Sequence, residues 1–384
     1  MAKKKRVARS ENNTANKKKK ANPISCILVF NVGSSSVKAA LYSGSAKKQK
    51  ELLHLNFDRV KDSLHRKKAV RTIARSVELA GYSVQTIAHR IVHGGPLKKH
   101  CVITPAVFAK LKKISALAPL HDIPELEVVS FCKQQFGKNG KPLKQIAVFD
   151  TAFHSTMPLP ATVYGLPYKE YLQGVRRYGF HGISHAYVTR GLRGRVISCH
   201  LGSGSSITAI RDGKSVENSM GFTPLEGIVM ATRSGSVDPG IVVHFYEHDR
   251  MSFARIKQLL NHEAGLLGIS GYSNDMRDLL SVRKKNKRAQ LAIDVFVHSV
   301  VKMIGAYIAV LGGVDTLVFT GGIGQNSPPI RKMICDKLSA FGVRLDVAQN
   351  EKNVRIVSTK RSDVRVLAIP TNEEFAMAQI ASKL

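Results

Sequence analysis

Short apolar runs alternate with polar, glycine-containing turns along the chain, and their order predicts strands and helices in mixed succession. Residues 27–30 are apolar, 31–36 form a polar turn around Gly33, and 37–42 are apolar again, which predicts a β-hairpin. The pattern returns at 196–211, where a strand ending at His200, a turn over 201–206 and a second strand lead into Asp212-Gly213, a tight hairpin signal. A third hydrophobic strand, 314–320, runs into a glycine loop at 321–326, followed by Pro328 and a helical stretch from Ile330. Two like hairpins predict a duplicated α/β fold facing itself across a cleft. Residues 292–311 approach the length of a membrane span, but Asp294, His298 and Lys302 recur every four residues as one polar stripe. That periodicity predicts a buried helix with one wet or paired face.

A chain of 384 residues is long enough for two domains, each with its own core. The 43% hydrophobic and 22% charged residues are those of a soluble globular protein. Cys26, Cys101, Cys132, Cys199 and Cys335 are odd in number and scattered, against a disulfide framework or zinc site and in favour of a reducing cytoplasm. No apolar stretch of useful length follows the basic start, so neither a secretory leader nor a membrane anchor is expected. Lys and Arg number 59 against 27 Asp and Glu, an excess that by itself suggests a polyanionic partner. Residues 1–22, with nine basic side chains and one acidic, read as a disordered tail through which nucleic acid or another polyanion could be contacted. The remaining excess is spread through segments such as 283–288, and no nucleic-acid-reading motif accompanies it.

Glycine in the turns lets the backbone approach a ligand, while serine hydroxyls and consecutive amides offer donors to phosphate oxygens. Either turn alone is ordinary loop material. The strand, glycine loop and helix at 314–330 add a nucleotide-site architecture, yet neither the Walker A pattern nor a dinucleotide fingerprint is present. Seven blocks in order then carry a specific likeness: NVGSSSVK at 31–38, AHRIVHGG at 88–95, FDTAFH at 149–154, RYGFHGISH at 177–185, GFTPLEGIVMATRSGSVDPG at 221–240, TGGIGQNS at 320–327 and PTNEE at 370–374. They resemble the acetate kinase family, within the superfamily of actin, sugar kinases and heat-shock ATPases. The resemblance implies two ribonuclease H-like domains across a nucleotide-binding cleft: 23–154 with 374–384, and 155–373. It implies a cytoplasmic homodimer that moves a phosphoryl group reversibly between ATP and acetate, giving acetyl phosphate and ADP, with magnesium or manganese.

Phosphoryl transfer asks a protein to position reactants and neutralise phosphate charge, so cations near the cleft matter most. The resemblance implies that Arg90 binds the substrate carboxylate and that Arg233 and His181 stabilise the transition state. It makes Asp150 a proton donor or acceptor, but the substrate is already ionised at neutral pH, so holding magnesium through water or orienting an arginine suits Asp150 better. Asn31 and Glu373 are the implied metal ligands, with Glu374 an acidic residue at a helix start. For ATP the resemblance carries over Lys38; His200, Leu201, Gly202, Ser203 and Gly204; Asp275, Met276 and Arg277; and Gly322, Ile323, Gly324, Gln325 and Asn326. Asp275 and Arg277 read equally well as exposed loop charges. Val92, Leu120, Phe180 and Pro224 are the implied apolar wall of a methyl-sized pocket. Gly321 and Gly322 leave room for an adenine, against pyrophosphate as donor.

The chain departs from the family pattern at four points. Ser203 stands for Asn in the second turn, Ser236 for Asp near Arg233, Gln325 for Glu, and Asp122-Ile123 for Asn-Pro. The segment between His185 and His200 is also shorter than usual, which trims a helix.

Overall fold

The computed structural model describes residues 25–33, 36–43, 49–60, 62–115, 119–137 and 143–384; the basic tail lies outside them, as do the side chains of Leu120 and His121. Two mixed sheets form its frame. In the first, β1 (Ser25–Val32), β2 (Ser36–Ser43), β3 (Glu51–Asp58), β4 (Ser83–Ile91), β5 (Cys101–Val102) and β6 (Lys144–Phe149) lie in the order β3-β2-β1-β4-β6-β5. In the second, β7 (Arg195–Leu201), β8 (Ser205–Arg211), β9 (Lys214–Asn218), β10 (Thr316–Thr320) and β11 (Arg365–Ala368) lie in the order β9-β8-β7-β10-β11. Strand for strand the pattern repeats. Three antiparallel strands are followed by two parallel ones in each sheet, and only β5 has no counterpart. This is the expected α/β class with a duplicated topology.

The strand positions follow from burial. Cys26 to Phe30 are buried without a break, as a central strand covered on both faces requires, whereas β3 alternates exposed and half-buried residues as an edge strand does. The helix Ser63–Leu79, capped by Asp62 accepting from the His65 amide, turns Ala69, Val70, Ile73 and Val77 toward the sheet. On the opposite face the C-terminal helix Glu373–Ala381 buries Ala376, Met377, Ala378 and Ala381 against Ile27, Val29, Ala88, Ile146 and Val148.

Against the second sheet lies the helix Lys287–Leu311. Ala292, Ile293, Phe296, Val297, Val300, Ile304 and Tyr307 enter the core, while Asp294, His298 and Lys302 line its exposed side. Its length and hydropathy would suffice to cross a membrane, but here it packs on the sheet. Each fully buried large apolar side chain removes enough surface from water to contribute about 1.5–3 kcal/mol. One local expectation fails: 321–326 is a short helix, Gly321–Asn326, rather than a loop, running directly into the next helix, Pro328–Lys337. Proline at the first positions of that second helix costs no backbone hydrogen bond, which is why the two can abut.

Candidate active site

The ends of β1, β4 and β6 and the start of the C-terminal helix converge on one charged network. Asp150, directly after β6 and 1% exposed, accepts from Arg90 on β4 through Nε at 3.2 Å and Nη2 at 2.6 Å. Arg90 Nη1 donates to Asn31 Oδ1 at 3.2 Å. Asn31 Nδ2 in turn donates to Glu373 at 3.3 Å and Glu374 at 2.9 Å. Asp150 and Glu373 thus act directly on one guanidinium, and Asn31 carries the network on to Glu374. Burial raises the Glu373 pKa, Arg90 opposes the shift, and the Asp150 and Glu374 charges add to it. Glu374 therefore does more than complement a helix dipole. Lys38 faces Asn31 across the β1–β2 ladder and is exposed.

Behind Arg90 the chain turns through Val92 and His93, held by two carboxyls that sequence reading did not assign. Glu125 accepts from the Val92 amide at 3.0 Å, and Asp122 from the His93 amide at 3.1 Å. Their remaining oxygens, Asp122 Oδ2 and Glu125 Oε1, are buried and find no donor among the described residues. Each carboxyl, desolvated beside the other, resists ionisation, and the Asp122 charge adds to the shift at Glu125. Burial pushes Asp122 up to about 7 and Glu125 well above its usual range. A readable signal existed: 122 and 125 fall in step with the buried Val128 and Val129 of the helix Pro119–Phe136.

The second sheet gathers imidazoles instead. His181 sits in the left-handed region at φ 56°, just before the helix Gly182–Val188, a conformation uncommon outside glycine. Its Nδ1 meets Ser206 Oγ at 2.9 Å, and its ring stacks on His200 at 4.4 Å. Ser206 also bonds His185 Nε2 at 2.8 Å, and His200 Nδ1 is held by Ser184 Oγ at 2.8 Å. Burial first, then the charges of His200 and Arg90, holds His181 well below the ordinary imidazole range, so the ring is neutral. Burial likewise brings His200 to about 4.

Gly204 brings the second turn onto this pair. A Cβ there would lie 3.2 Å from His181 Nε2 and 3.7 Å from Arg233 Nη1, so the turn's backbone, the imidazole and the guanidinium border one space. Arg233 is fixed by the Pro224 carbonyl at 3.0 Å and touches Met230 sulfur at 4.0 Å; among the described residues no carboxylate pairs with it. Its loop is tied to the turn by the Ala231 amide donating to Ser203 O at 3.2 Å. Burial, and then Arg90, lowers the Arg233 pKa. Ser236 bonds Gly227, at 3.0 Å through its hydroxyl. The Arg233 side chain is thus constrained by a carbonyl, whatever Ser236 contributes.

The glycine segment closes over the same turn. Gly321, at φ 76°, admits no side chain, because a Cβ would lie 2.6 Å from Leu201 O. Gly322 by contrast faces open space, so of the two glycines it alone leaves room. Gly202 approaches the Gly322 amide, and Asn326 bonds back to Gly322 O at 3.1 Å. Gln325 and Gly324 lend their carbonyls to Arg331, which is wholly buried and also bonded to Asn350 and Asn353. That clamp was not visible in sequence. Ile323 packs partly buried on the second core. Asp275 caps the helix Met276–Val282 and bonds Arg277 at 2.6 Å, Arg277 being largely exposed, while Met276 is buried in the core.

Val92 and Phe180 pack together with Met220 and Met230, two residues sequence reading missed; Pro224 is not part of that cluster and meets Arg233 through its carbonyl. Leu120 lies outside the described side chains.

The model of the acetokinase family matches residues 46–379. A curated acetate kinase of Thermoanaerobacterium thermosaccharolyticum is 40% identical over 93% of this chain and 98% of its own length. Among solved structures, a propionate kinase from Francisella tularensis superposes with a TM-score of 0.84 at 38% identity, covering 94% of this chain and 100% of that one. The acetate kinase of Porphyromonas gingivalis gives 0.80 at 35% identity, over 94% and 99%. Extent and identity together leave one assignment: the chain belongs to the acetokinase family, kinases that phosphorylate acetate with ATP.

Proposed function

We propose that transfer takes place between the two strand-end networks, with the carboxylate substrate at Arg90 and the transferring phosphoryl group between Arg233, His181 and the turn at 201–204. The observation that carries this reading is the pair of guanidinium groups, Arg90 and Arg233, whose charges both act on one desolvated, neutral imidazole, His181. Arg90 spends three of its five N–H groups on Asp150 and Asn31, which leaves two for a carboxylate. Arg233, which among the described residues has no carboxylate partner, keeps its charge for phosphoryl oxygens. A carboxylate oxygen attacks the terminal phosphorus of ATP, the bond to the bridging oxygen breaks, and ADP leaves. No proton need move. Asp150, held against Arg90, orients that guanidinium rather than shuttling a proton.

The donor set also fits a divalent cation. Glu373 and Glu374 add negative charge that Arg90 does not offset, and oxygens of Glu373 and Asn31 would hold magnesium. When bound, the ion offsets charge on the nucleotide phosphates. Gly322, with open space before it, and the segment through Asn326 would border the adenosine, and Lys38 and the Asp275–Arg277 corner would reach the nucleotide as the domains close. The small apolar cluster of Val92, Phe180, Met220 and Met230 favours acetate over propionate, a discrimination of roughly 1–3 kcal/mol per methylene.

The helix Pro239–Glu247 buries none of its side chains and exposes Ile241, Val243 and Tyr246, which supports a homodimer. Buried thiols such as Cys132 and Cys199 support a reducing cytoplasm. Contact of the basic tail with polyanions would show as salt-sensitive RNA retention. The test of the catalytic reading is magnesium- and ATP-dependent acyl phosphate formation, trapped as the hydroxamate, with acetate, propionate and butyrate. Acetyl hydroxamate lost in Arg233→Ala supports it, and equal turnover by that variant refutes it.

A further inference from the structure

Behind the catalytic residues lies a cavity of about 500 Å³ that the proposed reaction does not use. Phe149, adjacent to Asp150, forms one wall, and Gly182 and Ile183, adjacent to His181, form another. Ala376 and Ile380 of the C-terminal helix complete an apolar interior. Lys98, Lys99, Arg190 and Lys383 are exposed at its rim, none of the lining side chains is acidic, and the terminal main-chain oxygen of Leu384, also at the mouth, is taken up by Lys144 Nζ at 2.5 Å. Arg190 is braced by Gln379 Oε1 at 2.6 Å. His100 lines the cavity as well. Its Nδ1 accepts from the Phe149 amide at 3.1 Å and burial holds its pKa at about 4, so the ring is neutral and its proton sits on Nε2 as a donor.

The helix that walls the cavity ends at Val188, and Arg190 lies at the rim just beyond it. The same helix is tied to both halves of the molecule. Gly182 N donates to Asp150 O at 2.9 Å on the first side, and His185 bonds Ser198 and Ser206 of the second sheet.

We propose that this cavity is a second ligand site, for a medium-chain carboxylate whose tail lies between Phe149, Ile183 and Ile380 and whose head group meets the lysine and arginine rim. The volume is that of an ordinary small-molecule pocket, and apolar walls with a few convergent polar groups at the mouth are what an amphiphilic anion requires. A fully apolar molecule would leave the rim charges unanswered, and a small hydrophilic anion would leave the interior unfilled.

The test is calorimetric titration of the full chain with decanoate below its micelle-forming concentration, with decanol as the uncharged counterpart. Two variants interrogate the site: Ala186→Trp fills the interior, and Lys99→Glu with Lys383→Glu reverses the rim. The chain contains no tryptophan, so emission from the first variant also reports whether it folds. Expected are one saturable decanoate site, at least tenfold weaker binding in each variant, at least tenfold weaker binding of decanol, and slowed amide exchange in the helices Gly182–Val188 and Glu373–Ala381. The absence of saturable binding, equal affinity for decanol, or affinity unchanged in both variants would overturn the proposal. Because the readout is binding, it stands or falls independently of turnover.

Discussion

The two sheets share one topology and end in opposite electrostatics. At the end of the first, Asp150 pairs with Arg90, and Asn31 links that arginine to Glu373 and Glu374, so every charge has a partner of opposite sign or a neutral donor. At the end of the second, His181, His185 and His200 interlock through serines, and among the described residues the Arg233 side chain meets only a carbonyl and a thioether. Duplication supplies the same geometry twice, and the side chains at the strand ends decide what each copy can hold. An oxygen-rich end suits a metal ion; a desolvated cationic end suits phosphate oxygens.

The contrast breaks most visibly at the two arginines. Arg233→Ala should lower kcat by roughly a thousandfold, the scale of losing a donor aimed at the transferring group. Its unfolding midpoint should barely move, because no buried charge is left unpaired. Arg90→Ala should raise the acetate KM and also cost about 3–5 kcal/mol in urea unfolding, because Asp150 would remain buried without its partner. Equal stability of the two variants would erase the distinction.

A smaller effect sharpens the metal side. Glu373→Gln should shift the magnesium concentration for half-maximal hydroxamate formation upward by roughly tenfold or more, at the scale of weakening a metal site. An unchanged magnesium dependence would move the ion elsewhere.

Asp122 tests the first network through pH. Its pKa rises from an ordinary 3.8 to about 7 in the folded chain, so the native state holds a proton that the unfolded chain releases. The stabilisation is complete below about 4 and is lost as pH rises through about 7. Asp122→Asn keeps the acceptor for His93 and can donate toward Glu125. It should remove this slope and raise stability at pH 8 by about 1–3 kcal/mol, read from urea midpoints at pH 5.5 and 8. Ser203→Asn, which restores the family amide in the second turn, should have the smallest effect, a few-fold gain in kcat/KM for ATP.

Much of this was legible in sequence because it is local. The hairpins around Gly33 and the 201–205 turn are written in adjacent residues, as is the stripe of Asp294, His298 and Lys302 on a core helix. The glycine segment was misread as a loop because its glycines argue against a helix; the Arg331 clamp on its last carbonyls, from beyond two prolines, holds the turn in place. Glu374 looked like a dipole partner until the C-terminal helix was seen to reach Asn31 across the whole length of the chain. Asp122 reads in sequence only as a departure from the family pattern, and Glu125 as nothing at all, because a helix surface gives no sign of which amides will lie against it.

The sequence by itself determined the family, the α/β class, the paired turns and the residue types available for phosphoryl transfer, since each depends on neighbours a few positions apart. Only the tertiary structure decided that Arg90 is ion-paired while among the described residues Arg233 is not, that His181 is desolvated and neutral, and that two carboxyls are buried side by side where ionisation is disfavoured. Those are matters of burial and of charge at close range, and both are set by segments that meet only when the chain is folded.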